Sequence, residues 1–207
     1  GEWIVDRFEE TAPEMWTLTA HTERGLAATW NARFFASTRA MECWGNITNN
    51  GREAIPHVKQ TRTLDMHFAL NSRVGLPWVR TINGARHVPA SFPPHDFKIS
   101  DCQMMQHADA WPLRIGSTPE GWTSSTSVPV MLLCDERQQQ GCAVFLEWAG
   151  HWEINVEAVA GVCQTPFPAD ARIALRAALS GLDLHLQPGQ TLPLPRVLFC
   201  AFDGDLE

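Results

Sequence analysis

"AVFLEWAGHWEINVEA", residues Ala143 to Ala158, is the stretch on which the fold turns. Val144, Leu146 and Trp148 alternate with Phe145 and Glu147; after Ala149-Gly150-His151 the apolar series resumes at Trp152, Ile154, Val156 and Ala158. A period of two marks a strand with one buried and one wet face, because successive strand side chains point to opposite sides. The stretch therefore predicts two strands folded about the Ala-Gly-His turn as a hairpin, with Glu147 and Glu153 pointing outward. Glutamates beside tryptophans also have the composition of a sugar-cleaving pair, whose carboxylates must lie about 5–5.5 Å apart for retention or 6.5–9.5 Å for inversion. Nothing in the sequence builds a pocket around them, so the expectation is a solvated strand face over a buried tryptophan pair.

The same period recurs along the chain. Leu64, Met66, Phe68 and Leu70 alternate with Asp65, His67 and Ala69, and Leu182, Leu184 and Leu186 alternate with Asp183, His185 and Gln187. Turn chemistry separates such runs: "TNNG" at Thr48–Gly51, "NG" at Asn83-Gly84, "DERQQQG" at Asp135–Gly141 and "QPGQ" at Gln187–Gln190. Strands and turns at this spacing predict a large antiparallel all-β sandwich. "FPADARIALRAALSG", Phe167 to Gly181, has helix-like composition and a proline start, but Ile173, Leu175, Ala177 and Leu179 alternate with Arg172, Ala174, Arg176 and Ala178. The middle, Gly75 to Thr126, is the least regular part and reads as long loops, where binding residues concentrate.

Composition limits the function. With 207 residues and 44% hydrophobic content the chain suffices for one large domain spanning 1–207. A net charge of -7 and scattered Lys and Arg leave no basic patch for nucleic acid or an anionic membrane. No run reaches the length of a spanning helix and no leader pattern opens the sequence, so the expected location is cytoplasmic. The six cysteines contain no Cys-x-x-Cys pair; only Cys134 and Cys142, flanking a predicted turn, are placed to face each other, and buried free thiols are the plainer expectation.

No motif for a cofactor or phosphate loop occurs, and the histidines, including His87, His95 and His107 in the irregular middle, show no metal-ligand spacing, so neither cofactor nor metal is expected. "GWTSSTS" is not a Gly-x-Ser-x-Gly elbow. Asn46-Ile47-Thr48 fits a glycosylation sequon. Of the nine tryptophans, Trp30, Trp148 and Trp152 sit in alternating runs and read as core. Trp78, Trp111 and Trp122 lie beside Pro or Gly in loop-like segments and are the candidates for a ligand or domain contact.

Four stretches taken together carry a resemblance: "GLAATWNARFFASTRAMECWGNITNNG", "GWTSSTSVPVMLL", "GCAVFLEWAGHWEINVEA" and "GLDLHLQPGQTLPLPRVLFCAFDGDLE". In order and spacing, over most of Gly25 to Glu207, they resemble the N-terminal β-supersandwich domain of family 36 glycoside hydrolases, the α-galactosidase group. Trp122 stands where that pattern commonly has arginine, and Gln190 where it commonly has glutamate. The resemblance implies a β-supersandwich of galactose-mutarotase-like architecture and a strand within Phe167–Gly181. It also implies that the catalytic residues lie not here but on a (β/α)₈ barrel following Glu207 in the same polypeptide. The domain is then expected to be non-catalytic, to pack on that barrel, to assist association of subunits, and to lend one loop to the rim of a pocket for a galactose-containing oligosaccharide. The segment Trp78–Phe97, with Trp78, Asn83, Arg86 and His87, is the expected rim loop. The alternative is a free-standing carbohydrate-binding module using Trp78, Trp111 or Trp122 as its platform.

Overall fold

Alternating apolar and polar residues form strands throughout the described residues, and no helix occurs among them. The structure is a computed structural model and describes residues 2–59, 61–69, 78–84, 94–98, 113–117, 127–135, 137, 139–160 and 172–204. In chain order the strands are β1 (Ile4–Ala12), β2 (Met15–His21), β3 (Leu26–Phe35), β4 (Ala40–Asn49), β5 (Ile55–Val58), β6 (Thr61–Ala69), β7 (Trp78–Asn83) and β8 (Pro94–Lys98). There follow β9 (Leu113–Gly116), β10 (Ser127–Cys134), β11 (Gln140–Glu147), β12 (Trp152–Ala160), β13 (Arg172–Leu179), β14 (Leu184–Leu186), β15 (Thr191–Pro193) and β16 (Arg196–Asp203).

The strands pair antiparallel throughout. A ten-stranded sheet runs β1-β2-β3-β4-β16-β11-β10-β7-β8, with β15 also on β4. A four-stranded sheet runs β6-β13-β12-β9, and β14 pairs with β5. The core lies between the two larger sheets. Cys43, Val79, Met131, Val144, Leu146 and Val197 enter it from the large sheet, and Leu64, Trp152, Ile154, Val156, Ile173 and Leu175 from the small one. Phe68 and Phe199 stack across the gap with ring centroids 6.3 Å apart. The all-β sandwich expected from the sequence is the observed fold, and Arg172–Leu179 is a strand despite its helix-forming composition.

The expected hairpin about Ala149–His151 does not form. β11 is bonded on one edge to β10 and on the other to β16, so no edge is left for β12. The chain instead crosses from the large sheet to the small one, where β12 lies between β13 and β9. Gly150 permits that crossing: a Cβ there would lie 2.7 Å from the indole nitrogen of Trp148. Trp152 is fully buried, while Trp30 and Trp148 are half-buried against the core. Trp30 donates its indole N–H to the carbonyl of Thr63 at 2.7 Å, tying β3 to β6.

Two smaller expectations also change. Within the middle segment read as loops, the described residues form β7, β8 and β9. Of the Leu182, Leu184 and Leu186 series only Leu186 is buried and Leu184 is exposed, because β14 pairs with β5 outside the two large sheets. Asp135–Gly141 does close a hairpin: the Asp135 carboxylate accepts the N–H of Gln139 at 2.7 Å and of Gln140 at 3.2 Å. Cys134 and Cys142 are both buried, with no disulfide between them. Asn46 of the sequon sits mid-sheet, paired with Thr29 and Pro193.

Candidate functional site

The sheet crossing separates the two glutamates. In β11, Val144 and Leu146 enter the core, so Glu147 projects from the outer face of the large sheet, where it is 82% exposed and meets Arg196 only at 3.9 Å. In β12, Trp152, Ile154 and Val156 enter the core, so Glu153 projects from the outer face of the small sheet. The two carboxylates face away from each other across the sandwich and cannot converge on one glycosidic bond. The expectation of a solvated face holds for Glu147 but not for Glu153, which is only 6% exposed. Small neighbours flank Glu153 in its cross-strand row, Gly116 on β9 and Ala178 on β13.

That outer face of the small sheet carries a dense polar constellation. The register places four polar residues in one continuous row across all four strands: Asp65 opposite Arg176, Arg176 opposite Asn155, and Asn155 opposite Arg114. Directly opposed strand side chains stand about 4.5–5.5 Å apart, so each member of the row is within reach of the next. In the adjoining rows, Glu157 shares the face with Ala174 and His67, and Glu153 with Ala178. Alanine at 174 and 178 and glycine at 116 keep these rows low beside the longer side chains.

Ion pairs knit the face. Arg176 donates from Nε to Asp65 Oδ1 and Oδ2 at 3.0 and 3.1 Å and from Nη1 to Glu157. Arg62 donates to Asp65 Oδ2 at 3.1 Å, and His67 Nε2 stands 3.4 Å from Oδ1. Arg114 Nε is 3.7 Å from Glu153 Oε2. Asn155 donates from Nδ2 to Glu153 Oε1 at 3.4 Å, while its Oδ1 is buried and has no hydrogen-bond partner among the described residues. Three carboxylates (Asp65, Glu153, Glu157) are ion-paired with three guanidiniums (Arg62, Arg114, Arg176), and Arg172, exposed on the same face of β13, adds a fourth. Among the described residues no group of three His, Cys, Asp or Glu is arranged to hold a metal ion.

Of the residues expected to form a rim loop, Trp78 and Asn83 are described. Trp78 opens β7 and pairs with Lys98 and Cys134, so it belongs to a sheet strand rather than a loop. Val79, Thr81 and Ile82 favour extended backbone and carry the strand on to Asn83, which pairs with Ser127. β7 and β8 form a hairpin whose connection starts at Gly84. Arg86, His87, Trp111 and Trp122 lie outside the described residues. The polar row itself was visible in the sequence only as the outward positions of three alternating runs. The pairing that aligns them was not.

No family profile matches the sequence, and no curated relative does. Solved structures do match in fold. The galactosidase domain of an α-galactosidase–sucrose kinase covers 100% of this chain at 12% identity with a TM-score of 0.70, and the match takes in 28% of that chain. A family 36 α-galactosidase, AgaA from Geobacillus stearothermophilus, covers 100% at 11% identity with a TM-score of 0.66, again over 28% of its own length. A galactose mutarotase related enzyme from Lactobacillus acidophilus covers 97% at 10% identity with a TM-score of 0.58, over 72% of its length. The chain thus spans little more than a quarter of the galactosidases it matches. It has the fold of the corresponding segment of family 36 α-galactosidases, the fold that its own sequence motifs resemble.

Proposed function

We propose that this chain is a non-catalytic β-sandwich domain of an α-galactosidase-like glycoside hydrolase, and that it packs against a catalytic (β/α)₈ barrel of the same polypeptide. The observation that carries the reading is the coverage: the whole chain matches, but only 28% of the galactosidase it matches is used. The placement of Glu147 and Glu153 on opposite outer faces agrees with a domain that leaves glycoside cleavage to another part of the protein.

Uncovered apolar surface on the first strands supports such packing. The row Phe8, Leu18 and Trp30 crosses β1, β2 and β3 on the side that faces the core farther along the sheet. No residue of β1 or β2 joins that core, and Phe8 remains 62% exposed and Val5 59%. Uncovered apolar surface of this kind favours packing against another domain or subunit. In this reading the β7–β8 connection, with Arg86 and His87, is lent to the rim of the sugar pocket.

Two measurements test the reading. The intact mass of the native gene product in its source cell should exceed this chain by at least a barrel of about 250 residues; a product ending near Glu207 overturns it. In the full-length enzyme, Arg86→Ala with His87→Ala should raise KM for an α-galactoside, and unchanged kinetics remove the rim role.

A further inference from the structure

Short side chains leave the two sheets apart at one end of the sandwich. On the large sheet Leu133, Cys142 and Ala201 stand opposite one another across β10, β11 and β16, in a row that faces inward because Leu133 and Cys142 belong to the core. On the small sheet Phe68 and Ile173 stand opposite each other and line the same space. Packed sheets lie about 10 Å apart, a gap that a thiol and a methyl are too short to close. The result is a half-open cavity of about 270 Å³. Ala201 is exposed although it lies on the inner face, so the cavity meets solvent there. Protein interiors rarely hold a void larger than a water molecule, and this one is far larger.

We infer that this cavity is a binding site for a small, uncharged, apolar molecule built on an aromatic ring, seated between Leu133, Cys142 and Ala201 on one side and Phe68 and Ile173 on the other. The walls set the ligand class. Among the described residues that line the cavity, only Asp135 and Gln140 have polar side chains other than a thiol. Both are occupied in closing the β10–β11 turn: the Asp135 carboxylate accepts the N–H groups of Gln139 and Gln140, and the Gln140 amide donates to Asp203 at 3.1 Å. Cys142 stays a neutral thiol, because burial and then the neighbouring Cys134 push it up to about 12. A charged ligand would give up its hydration here and gain no partner. An aromatic ring finds one, since Phe68 and Phe199 stack at 6.3 Å beside the opening, and a further ring extends such an offset arrangement. An apolar cavity of about 150 Å³ already holds benzene, so the larger volume suits one substituted ring or a fused pair. The site is formed by other strands than the apolar surface of β1–β3 and does not rest on the role proposed above.

The test is an NMR titration of the 207-residue chain with toluene and indole up to their aqueous solubility, with benzoate as the charged control. Saturable shifts at Leu133, Cys142, Ile173 and Ala201 are expected for at least one of the two, with a Kd below about 1 mM. Intermolecular NOEs should join the bound ring to the methyl groups of Leu133 and Ile173. Benzoate should bind at least about tenfold more weakly than toluene. Ala201→Leu fills the opening and should weaken binding at least about tenfold, while Ala201→Ser, close in size to the parent, should keep the Kd within about twofold. Shifts that never saturate overturn the proposal, as do shifts centred on Phe8 and Leu18 of the β1–β2 face. Benzoate binding as tightly as toluene overturns the ligand class, and a Kd unchanged by Ala201→Leu overturns the site. If Ala201→Leu fails to fold, the NOEs decide alone, and their absence from Leu133 and Ile173 overturns the site.

Discussion

Arg176 donates through Nε to both carboxylate oxygens of Asp65, at 3.0 and 3.1 Å, from a position directly across the β13–β6 pair. Its Nη1 reaches Glu157 on the opposite neighbouring strand, so one guanidinium spans three strands of the small sheet. The guanidinium side chain is 15% exposed while both carboxylates are a third exposed or more. Removing the cation leaves two carboxylates facing each other, which in a fully buried setting costs about 3–5 kcal/mol. With partly solvated carboxylates, Arg176→Ala should cost about 1–3 kcal/mol. The urea midpoint should fall at unchanged slope, and the loss should shrink when Asp65→Asn and Glu157→Gln are added. A loss undiminished in that background would assign the effect to packing rather than charge.

Asn49 should prove a sensitive polar position of the fold. It is fully buried at the end of β4, where Nδ2 donates to the carbonyls of Glu53 and Leu186, both at 2.8 Å, and Oδ1 accepts the N–H of Gly51 at 2.9 Å. Its main chain also bonds to Gln190 and Gly189, so this one residue joins the Thr48–Gly51 turn, β14 and the Gln187–Gln190 turn. Asn49→Ala leaves two acceptors and a donor without partners and should cost about 2–4 kcal/mol. Asn49→Asp keeps only the acceptor bond and should recover little. Chemical denaturation of both variants is the check, and a loss below about 0.5 kcal/mol would contradict the bonding described.

Stability should decline on the alkaline side. Burial, reinforced by the carboxylate of Glu42, pushes the Cys43 thiol up to about 12. Burial, reinforced by the neighbouring Cys134, pushes Cys142 up to about 12 as well. Both start from an ordinary value of 9.0, so the unfolded chain loses these protons first. The stability they contribute is whole below pH 9 and drains away between pH 9 and about 12, by up to about 1.4 kcal/mol per pH unit for each thiol. The chain has no tyrosine to titrate in the same window. Urea midpoints from pH 8 upward should fall, and Cys142→Ala should flatten that fall; a flat profile in the parent protein would refute the assignment. At pH 8 neither thiol should be alkylated until the protein is unfolded, as peptide mapping can show.

A substitution in the first turn should stabilise. Glu14 has φ of 60°, in the left-handed region that glycine enters without strain, and it follows Pro13 between the paired residues Ala12 and Met15. Proline followed by a residue of positive φ is the arrangement of a type II turn, whose third position favours glycine or asparagine. Glu14→Gly should therefore raise the midpoint by about 0.5–1 kcal/mol, and Glu14→Asn by less. The contact from the Glu14 N–H to the Glu10 carboxylate involves main chain on the side of residue 14 and survives both changes. A destabilised Glu14→Gly would mean that the carboxylate of Glu14 matters more than its backbone strain.

Sequence alone determined several of the strands and turns. Alternation fixed the inward residues of β6, β12 and β13, including Leu64, Ile154, Val156, Ile173 and Leu175, and the reading of Arg172–Leu179 as a strand held against its helix-like composition. Asp135–Gly141 and Gln187–Gln190 are turns for reasons contained in their own residues. These features were legible because a period of two and a turn's φ preferences are local properties of the backbone.

What tertiary structure decided is which edges meet and which faces are covered. Trp148 and Trp152 can be inward in one hairpin or in two separate sheets with the same alternation; only the occupancy of both β11 edges by β10 and β16 selects the crossing. That crossing puts Glu147 in water and Glu153 in a buried polar face, though their local sequences look alike. Asp65 and Arg176 are 111 residues apart, and no local pattern announces that they share a row with Asn155 and Arg114. Hydrogen-bonded pairing between distant strands is a non-local event, governed by which edges remain open once the core closes, and so the candidate site belongs to the fold rather than to any segment of the chain.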